Sequence, residues 1–279
     1  MIIQTEGMIP GPNDRPITFD VTIPSTAGPH PVVIFAHGFK GFKDWGPFGL
    51  LARAFAEAGF AFVKFNFSFN GTTPERPHDF ADPGAFSENN FTRELNDLNS
   101  IIDFTSHQHM EWQIDPDRLF LTGHSRGGGT VIIQSSEDPR VRGLATWASV
   151  SDFAGFLSIA DHKVWKELGV VYVENARTGQ QMPLSYQLYE DYTGNMERLS
   201  IESAVSKLDK PYLVVHGTAD ETVPFTHASA LAALSSRVRL YAVPGANHTF
   251  GGSHPFGSAE LPGHFAMVVK ETIAFFSSL

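Results

Sequence analysis

The chain has 279 residues, 42% hydrophobic and 18% charged, which excludes wholesale disorder and leaves room for one large domain with a substantial core. A formal net charge of -10 with no basic run argues against a nucleic-acid partner, because phosphate binding needs clustered Lys and Arg. There are no cysteines, which rules out disulfides, thiolate metal sites and a cysteine nucleophile.

The start, Met1-Ile2-Ile3-Gln4-Thr5-Glu6, lacks the basic end and long apolar stretch of a secretory leader. No apolar run approaches the roughly 20 residues needed to cross a bilayer. The expectation is a cytoplasmic protein with no membrane partner; nothing in the sequence speaks to its oligomeric state. The 24 phenylalanines point to a large aromatic core, a greasy pocket, or both.

Ile17 to Pro24 alternates like a half-exposed strand, with Ile2 to Thr5 as a pairing partner and Pro10 to Asp14 as the turn between them. Pro31 to Ala36 is a continuous apolar run, the pattern of a strand covered on both faces, and it ends in His37-Gly38-Phe39. Phe48 to Ala58 has helical spacing and stops at Gly59, and Phe60 to Phe67 reads as another buried strand. Ser68 to Ser87 reads as a long surface loop, and Asn89 to His107 as a helix with Leu95, Leu98, Ile102 and Thr105 on one side. Asp115-Pro116-Asp117 turns the chain into the apolar run Arg118 to Thr122. Gly123-His124-Ser125-Arg126-Gly127 and a helix-compatible run from Gly128 follow. Further strands are predicted at Val141 to Ser149, Pro211 to His216 and Val238 to Val243, with helices at Thr226 to Leu234 and Leu261 to Phe276. Strands alternating with helices of this size predict an α/β fold with a mostly parallel, doubly wound sheet.

One region breaks the rhythm. From Asp152 to about Val205 no second buried strand arrives on schedule. Val170 to Val173 and Gln181 to Leu184 flank a turn at Asn175 to Gly179, which predicts a β-hairpin, and a helical piece carrying Tyr186, Leu188, Tyr189 and Tyr192 follows. The expected organisation is a single domain over residues 1–279 with residues 152–205 inserted as a cap over the edge that carries Ser125. Phe153, Phe156, Trp165, Tyr172 and Tyr189 are its candidate substrate-binding residues, with packing of the insertion onto the sheet as the competing role.

Strand, sharp turn and helix around a G-x-S-x-G put Ser125 at an apex where its neighbours two residues away need almost no side chain. A serine hydroxyl needs a base to remove its proton, and that base needs an acid to hold its tautomer. Both partners should lie on loops after strands, at the edge that carries the nucleophile. Asp220 follows the strand ending near His216, with Glu221 the weaker substitute, and His248 follows the strand ending at Val243. Backbone donors for a developing oxyanion should be the amide of Arg126, directly after Ser125, and the amide of Phe39. His107 and His109 point to different sides of a helix, and His248, His254 and His264 have no carboxylate pair to complete a site, so no metal is expected. Gly127-Gly128-Gly129 has the wrong spacing for a dinucleotide fingerprint, and no cofactor is expected.

The set His37-Gly38-Phe39, Gly123 to Gly127, Gly217-Thr218-Ala219-Asp220 and Asn247-His248 resembles the serine α/β-hydrolase superfamily. Within it the chain is similar to the branch of dienelactone-hydrolase-like proteins, feruloyl and other carboxylic esterases, and prolyl-oligopeptidase-type peptidases. The resemblance runs from about Pro31 to the C-terminus, interrupted by the insertion. It implies the doubly wound sheet of that fold and a Ser125–His248–Asp220 triad. Dienelactone hydrolases proper use a cysteine nucleophile, which this chain lacks, so lactone specificity does not carry over. The leading expectation is a carboxylic ester hydrolase acting on a small-molecule ester through an acyl-serine intermediate. A peptidase or amidase with the same triad and a non-catalytic binding protein of the same fold are the alternatives.

Overall fold

The computed structural model describes residues 2–12 and 14–279. Its strands are β1 (Ile2–Pro10), β2 (Pro16–Pro24), β3 (His30–Ala36), β4 (Ala61–Phe65), β5 (Ile114–His124), β6 (Val141–Trp147), β7 (Val170–Asn175), β8 (Gln180–Ser185), β9 (Tyr212–Gly217) and β10 (Val238–Val243). Its helices are α1 (Phe48–Glu57), α2 (Pro83–Ser87), α3 (Phe91–His107), α4 (Arg126–Glu137), α5 (Ala154–Leu157), α6 (His162–Leu168), α7 (Gln187–Gly194), α8 (Ile201–Lys207), α9 (Thr226–Ala233) and α10 (Gly263–Ser277). One eight-stranded sheet runs in the order β1-β2-β4-β3-β5-β6-β9-β10, and β7 and β8 form a separate hairpin. β1 and β2 are antiparallel to their neighbours, and every pairing from β4 to β10 is parallel. Of the turn expected between β1 and β2, Asn13 lies outside the described residues, as does Met1.

The apolar run of β3 shows why this sheet carries helices on both faces. Val32, Ile34 and Ala36 enter one core with Leu95 and Leu98 of α3 and Val131 of α4. Val33 and Phe35 enter a second core with Leu51 and Phe55 of α1 and Phe265 and Val268 of α10. Side chains alternate along a strand, so a strand apolar at every position must be covered twice.

Parallel pairing sends the ends of β3, β5, β9 and β10 to one edge. Ala36 is opposite Gly123, and Gly217 is opposite Val243. The loops after those residues carry Phe39, Ser125, Asp220 and His248.

The structure corrects two expectations. The stretch from Ser68 to Ser87 is not a surface loop throughout: Ser68, Phe69, Asn70, Phe80 and Phe86 are buried, and α2 lies within it. Phe80 packs edge-on against Phe42 and Phe86 packs against Phe39, so aromatic burial outweighs the turn-forming prolines. The end of the segment predicted as a cap also belongs elsewhere. Ile201 and Val205 of α8 are buried in the α3–α4 core, and α8 packs on α4 as an ordinary flanking helix. The β7–β8 hairpin and α7 stand where the sequence puts them.

A charged cluster fastens the loop after β3 to the sheet. Lys64 of β4 pairs with Asp20 of β2 and with Asp44, and Lys43 pairs with the same two carboxylates at 2.7 and 2.6 Å. Two buried cations facing two anions compensate one another, whereas either charge alone would be costly. Burial alone would raise the Asp44 carboxyl, but Lys64 and Lys43 outweigh it and bring the group down to about 2.

Candidate active site

Ser125 is held in a conformation that a β-carbon rarely tolerates, with φ 57° and ψ -122°. The strain persists because the backbone around it is fixed on both sides. The Ser125 amide donates to the Trp147 carbonyl at 2.9 Å, and its carbonyl accepts from the Gly128 amide at 3.0 Å. A side chain at Gly123 would collide with the Gly127 carbonyl, and one at Gly127 would collide with the carbonyls of Ala36 and His37. A β-carbon at Gly38 would sit 2.9 Å from that of Ser125. The glycines are there because three backbone segments meet around one serine.

Ser125 Oγ lies 3.1 Å from His248 Nε2, and His248 Nδ1 lies 2.8 Å from Asp220 Oδ2. A carboxylate only accepts, so Nδ1 carries the imidazole proton and Nε2 turns its lone pair to the serine hydroxyl. Asp220 Oδ1 accepts from the amides of Thr222 and Val223 at 2.9 and 2.8 Å, so the same carboxyl also ties its own turn. Burial favours the neutral acid, but the neighbouring His216 and His248, together with the Val223 amide, hold Asp220 well below the usual carboxylate range. The fully buried His216 donates from Nε2 to the Val223 carbonyl at 2.8 Å and lies 3.3 Å from Asp220 Oδ2. Glu221, the weaker candidate acid, is exposed.

Facing the serine, His37 is buried and pushed down to about 4 by that burial, so it is neutral at physiological pH. The Gly38 carbonyl accepts from His37 Nδ1 at 2.9 Å and from the Gly41 amide at 3.0 Å. In a trans peptide the N–H points opposite to the C=O, so pinning the Gly38 carbonyl aims the Phe39 N–H the other way. The Arg126 amide opens α4 and has no intrahelical acceptor. The Arg126 side chain pairs with the buried Glu94 and lies over the rings of Phe39 and Phe156 at 4.7 and 5.2 Å. One residue thus offers its amide and braces the loop that holds the other.

A cavity of about 450 Å³ opens beside Ser125. Phe39, Trp45 and Phe48 give it an apolar wall, and Asn175-Ala176-Arg177 at the end of the hairpin complete its lining. Lys40 Nζ donates to the Glu174 carbonyl at 2.9 Å and holds that turn in place. A cleft of about 570 Å³ lined by Arg140 and Lys210 includes none of the Ser125, Asp220 or His248 loops.

The aromatic residues proposed to bind substrate do not line this cavity, which corrects that expectation. Phe153 is 1% exposed and stacks on Phe91 with ring centres 4.2 Å apart. Trp165 is fully buried and donates from Nε1 to the Leu184 carbonyl, joining α6 to the hairpin. Tyr189 stacks on Tyr186 and His162, and Tyr172 stands out from β7 at 60% exposure. Phe156 approaches only through its edge-on contact with Phe39, at 4.7 Å. Packing of the insertion took Phe153 and Trp165, Tyr172 faces solvent, and the turn of the hairpin reaches the cavity instead.

Other residues at the site escaped the sequence reading. His124 donates from Nε2 to the His248 carbonyl at 2.9 Å, and burial, followed by the neighbouring His248, pushes its imidazole down to about 3. It anchors the histidine loop as a neutral donor. His254 accepts from the Gly46 amide at 3.0 Å and closes the cavity behind Trp45. Position x of the G-x-S-x-G motif carried the only sequence signal for His124; the others come from distant loops.

A strained serine at a strand-to-helix turn, with histidine and carboxylate on later strand-end loops, defines the class of serine α/β-hydrolases. Residues 48–261 match the prolyl oligopeptidase family, and the chain belongs to that family. It is 32% identical over 124 residues to an uncharacterized 31.7 kDa Escherichia coli protein from the traX-finO intergenic region, a match covering 44% of this chain and 38% of that one. The matched stretch is thus well under half of that relative's length. Among solved structures it is similar to Est1E from Butyrivibrio proteoclasticus with ferulic acid bound (TM-score 0.71, 17% identity, 98% of each chain). It is also similar to the esterase domain of a Rhodothermus marinus protein (TM-score 0.66, 20% identity, 98% of this chain and 97% of that one). At these identities the structural likeness speaks for the fold.

Proposed function

We propose that the protein hydrolyses carboxylic esters of small molecules through an acyl-serine intermediate. The observation that carries this reading is the hydrogen-bond chain from Ser125 through His248 to Asp220 beside the cavity. In the forward step Ser125 Oγ attacks the ester carbonyl carbon and its proton passes to His248 Nε2. Asp220 keeps the imidazole oriented and stabilises its charged form. The carbonyl oxygen, now negative, accepts from the Phe39 and Arg126 amides. Collapse of this intermediate expels the alcohol, which takes the proton from His248, and a water molecule repeats the sequence to release the acid. No metal or cofactor enters any step.

The size of the cavity favours esters over peptides. About 450 Å³ suits a small molecule, whereas an extended peptide needs a longer groove with backbone partners. Family membership favours a second reading, cleavage of amides or peptides by the same residues. Hydrolysis measured over aryl, short-chain and hydroxycinnamoyl esters, beside aminoacyl amides, separates the two. The ester reading expects turnover of one or more ester classes that disappears in Ser125→Ala; cleavage of amides alone would replace it with the second.

A further inference from the structure

The chain carries a net charge of -10, yet the lining of the cavity beside Ser125 includes Lys40, Arg177 and His254 and no Asp or Glu. Among the described residues Arg177 has no carboxylate within ion-pair distance, and neither has Lys40. Lys40 uses one of its three donors on the Glu174 carbonyl. Glu174 is exposed while Asn175, one residue further along β7, is buried, as alternation along a strand requires.

Asn175 belongs to the same lining. It lines the cavity at 6% exposure, and its Nδ2 has no hydrogen-bond partner among the described residues. Its Oδ1 accepts from the Arg177 amide at 3.2 Å, which fixes which end of the side chain is oxygen and which is the donor. That Nδ2 is itself enclosed, so Asn175 shapes the cavity wall rather than offering a donor to a ligand. His254 is a donor on its free side, because Nδ1 accepts from the Gly46 amide and the proton therefore sits on Nε2. Burial, followed by Arg177 and His78, lowers the His254 imidazole, against the opposing pull of Asp44 and Asp79.

The lining therefore offers two cations and no carboxylate beside an apolar wall. We propose that this cavity takes an ester bearing a carboxylate a few carbons from the scissile carbonyl, held by Arg177 and Lys40. The proposal rests on the ester-hydrolase reading and narrows its substrate class to half-esters of dicarboxylic acids. Charge-assisted hydrogen bonds are the strongest that such a lining can make, and a planar guanidinium matches a carboxylate edge to edge.

The test compares monomethyl glutarate with dimethyl glutarate, by titration calorimetry on the Ser125→Ala protein, which lacks the nucleophile. The half-ester is expected to bind about 10-fold or more tightly at low salt, with the ratio shrinking as salt rises. Arg177→Gln and Lys40→Gln lie at exposed or half-exposed positions on the cavity rim and should each reduce that ratio several-fold. Equal affinity for the two ligands, or a ratio untouched by Arg177→Gln, overturns the proposal. Hydrolysis of 4-nitrophenyl butyrate by the unaltered protein is read alongside. Turnover without charge preference overturns the anion site and leaves the ester reading standing. Charge preference without turnover of any ester supports the anion site and overturns the ester reading.

Discussion

Ser125 is strained, and the backbone fixed on both sides of it enforces the strain. Replacing it with alanine should leave the backbone intact and lower kcat roughly 10⁵- to 10⁶-fold, if the site behaves as other serine hydrolases do. Steady-state ester hydrolysis by carefully purified protein checks this, and an unchanged rate would remove Ser125 from the mechanism. Asp220→Asn should fold and lose roughly 10⁴-fold in kcat, because an amide can hold the imidazole in the wrong tautomer. Glu221→Gln, at an exposed position, should be close to unaltered protein; the reverse ranking would move the acid. These residues were legible in the sequence because each is a constrained residue type at a strand end. His124, Asn175 and Arg177 were not, since what they touch is decided by loops folding over the site.

At the scale of elements, the insertion shows where composition stops being informative. An aromatic segment of the right length predicted a substrate-binding cap, but rings at core positions and rings at a pocket have the same sequence signature. Trp165→Ala should cost about 3–5 kcal/mol in chemical denaturation, as for other buried large-to-small changes, whereas Tyr172→Ala should fall within about 0.5 kcal/mol. A large loss of ester affinity in Trp165→Ala without loss of stability would return it to the binding residues. Helix α3 gives a pH-dependent case. Its Asp97 accepts from the Ser68 amide at 2.7 Å and from the Ser68 hydroxyl, and burial outweighs these donors to raise the carboxyl to about 7. An unfolded aspartate ionises near about 3.9, so between pH 4 and about 7 the unfolded chain releases a proton that the folded one retains. Stability should therefore decline as pH rises through that window and level off above it. Asp97→Asn, which mimics the neutral acid, should flatten the urea midpoint over the same range; a slope unchanged in the variant would assign the dependence to other groups.

At the scale of the whole molecule, the parallel sheet does most of the organising. It delivers four strand ends to one edge, which is why chain order and strand spacing alone brought the loops carrying Phe39, Ser125, Asp220 and His248 together. The Asp20–Lys43–Asp44–Lys64 cluster and the buried residues within Ser68–Ser87 were hidden from the sequence, because burial of a polar or loop-like residue depends on partners far along the chain. No helix among the described residues is long and apolar enough to cross a membrane, and the charge of the cavity opposes that of the chain as a whole. The central claim is that this edge makes Ser125 a nucleophile activated by His248. Its most direct measurement is intact-protein mass spectrometry after reaction with a fluorophosphonate, followed by peptide mapping. The predicted result is one adduct per chain, carried by Ser125 and lost in His248→Ala; a folded protein that takes up no label, or takes it on another residue, would contradict it.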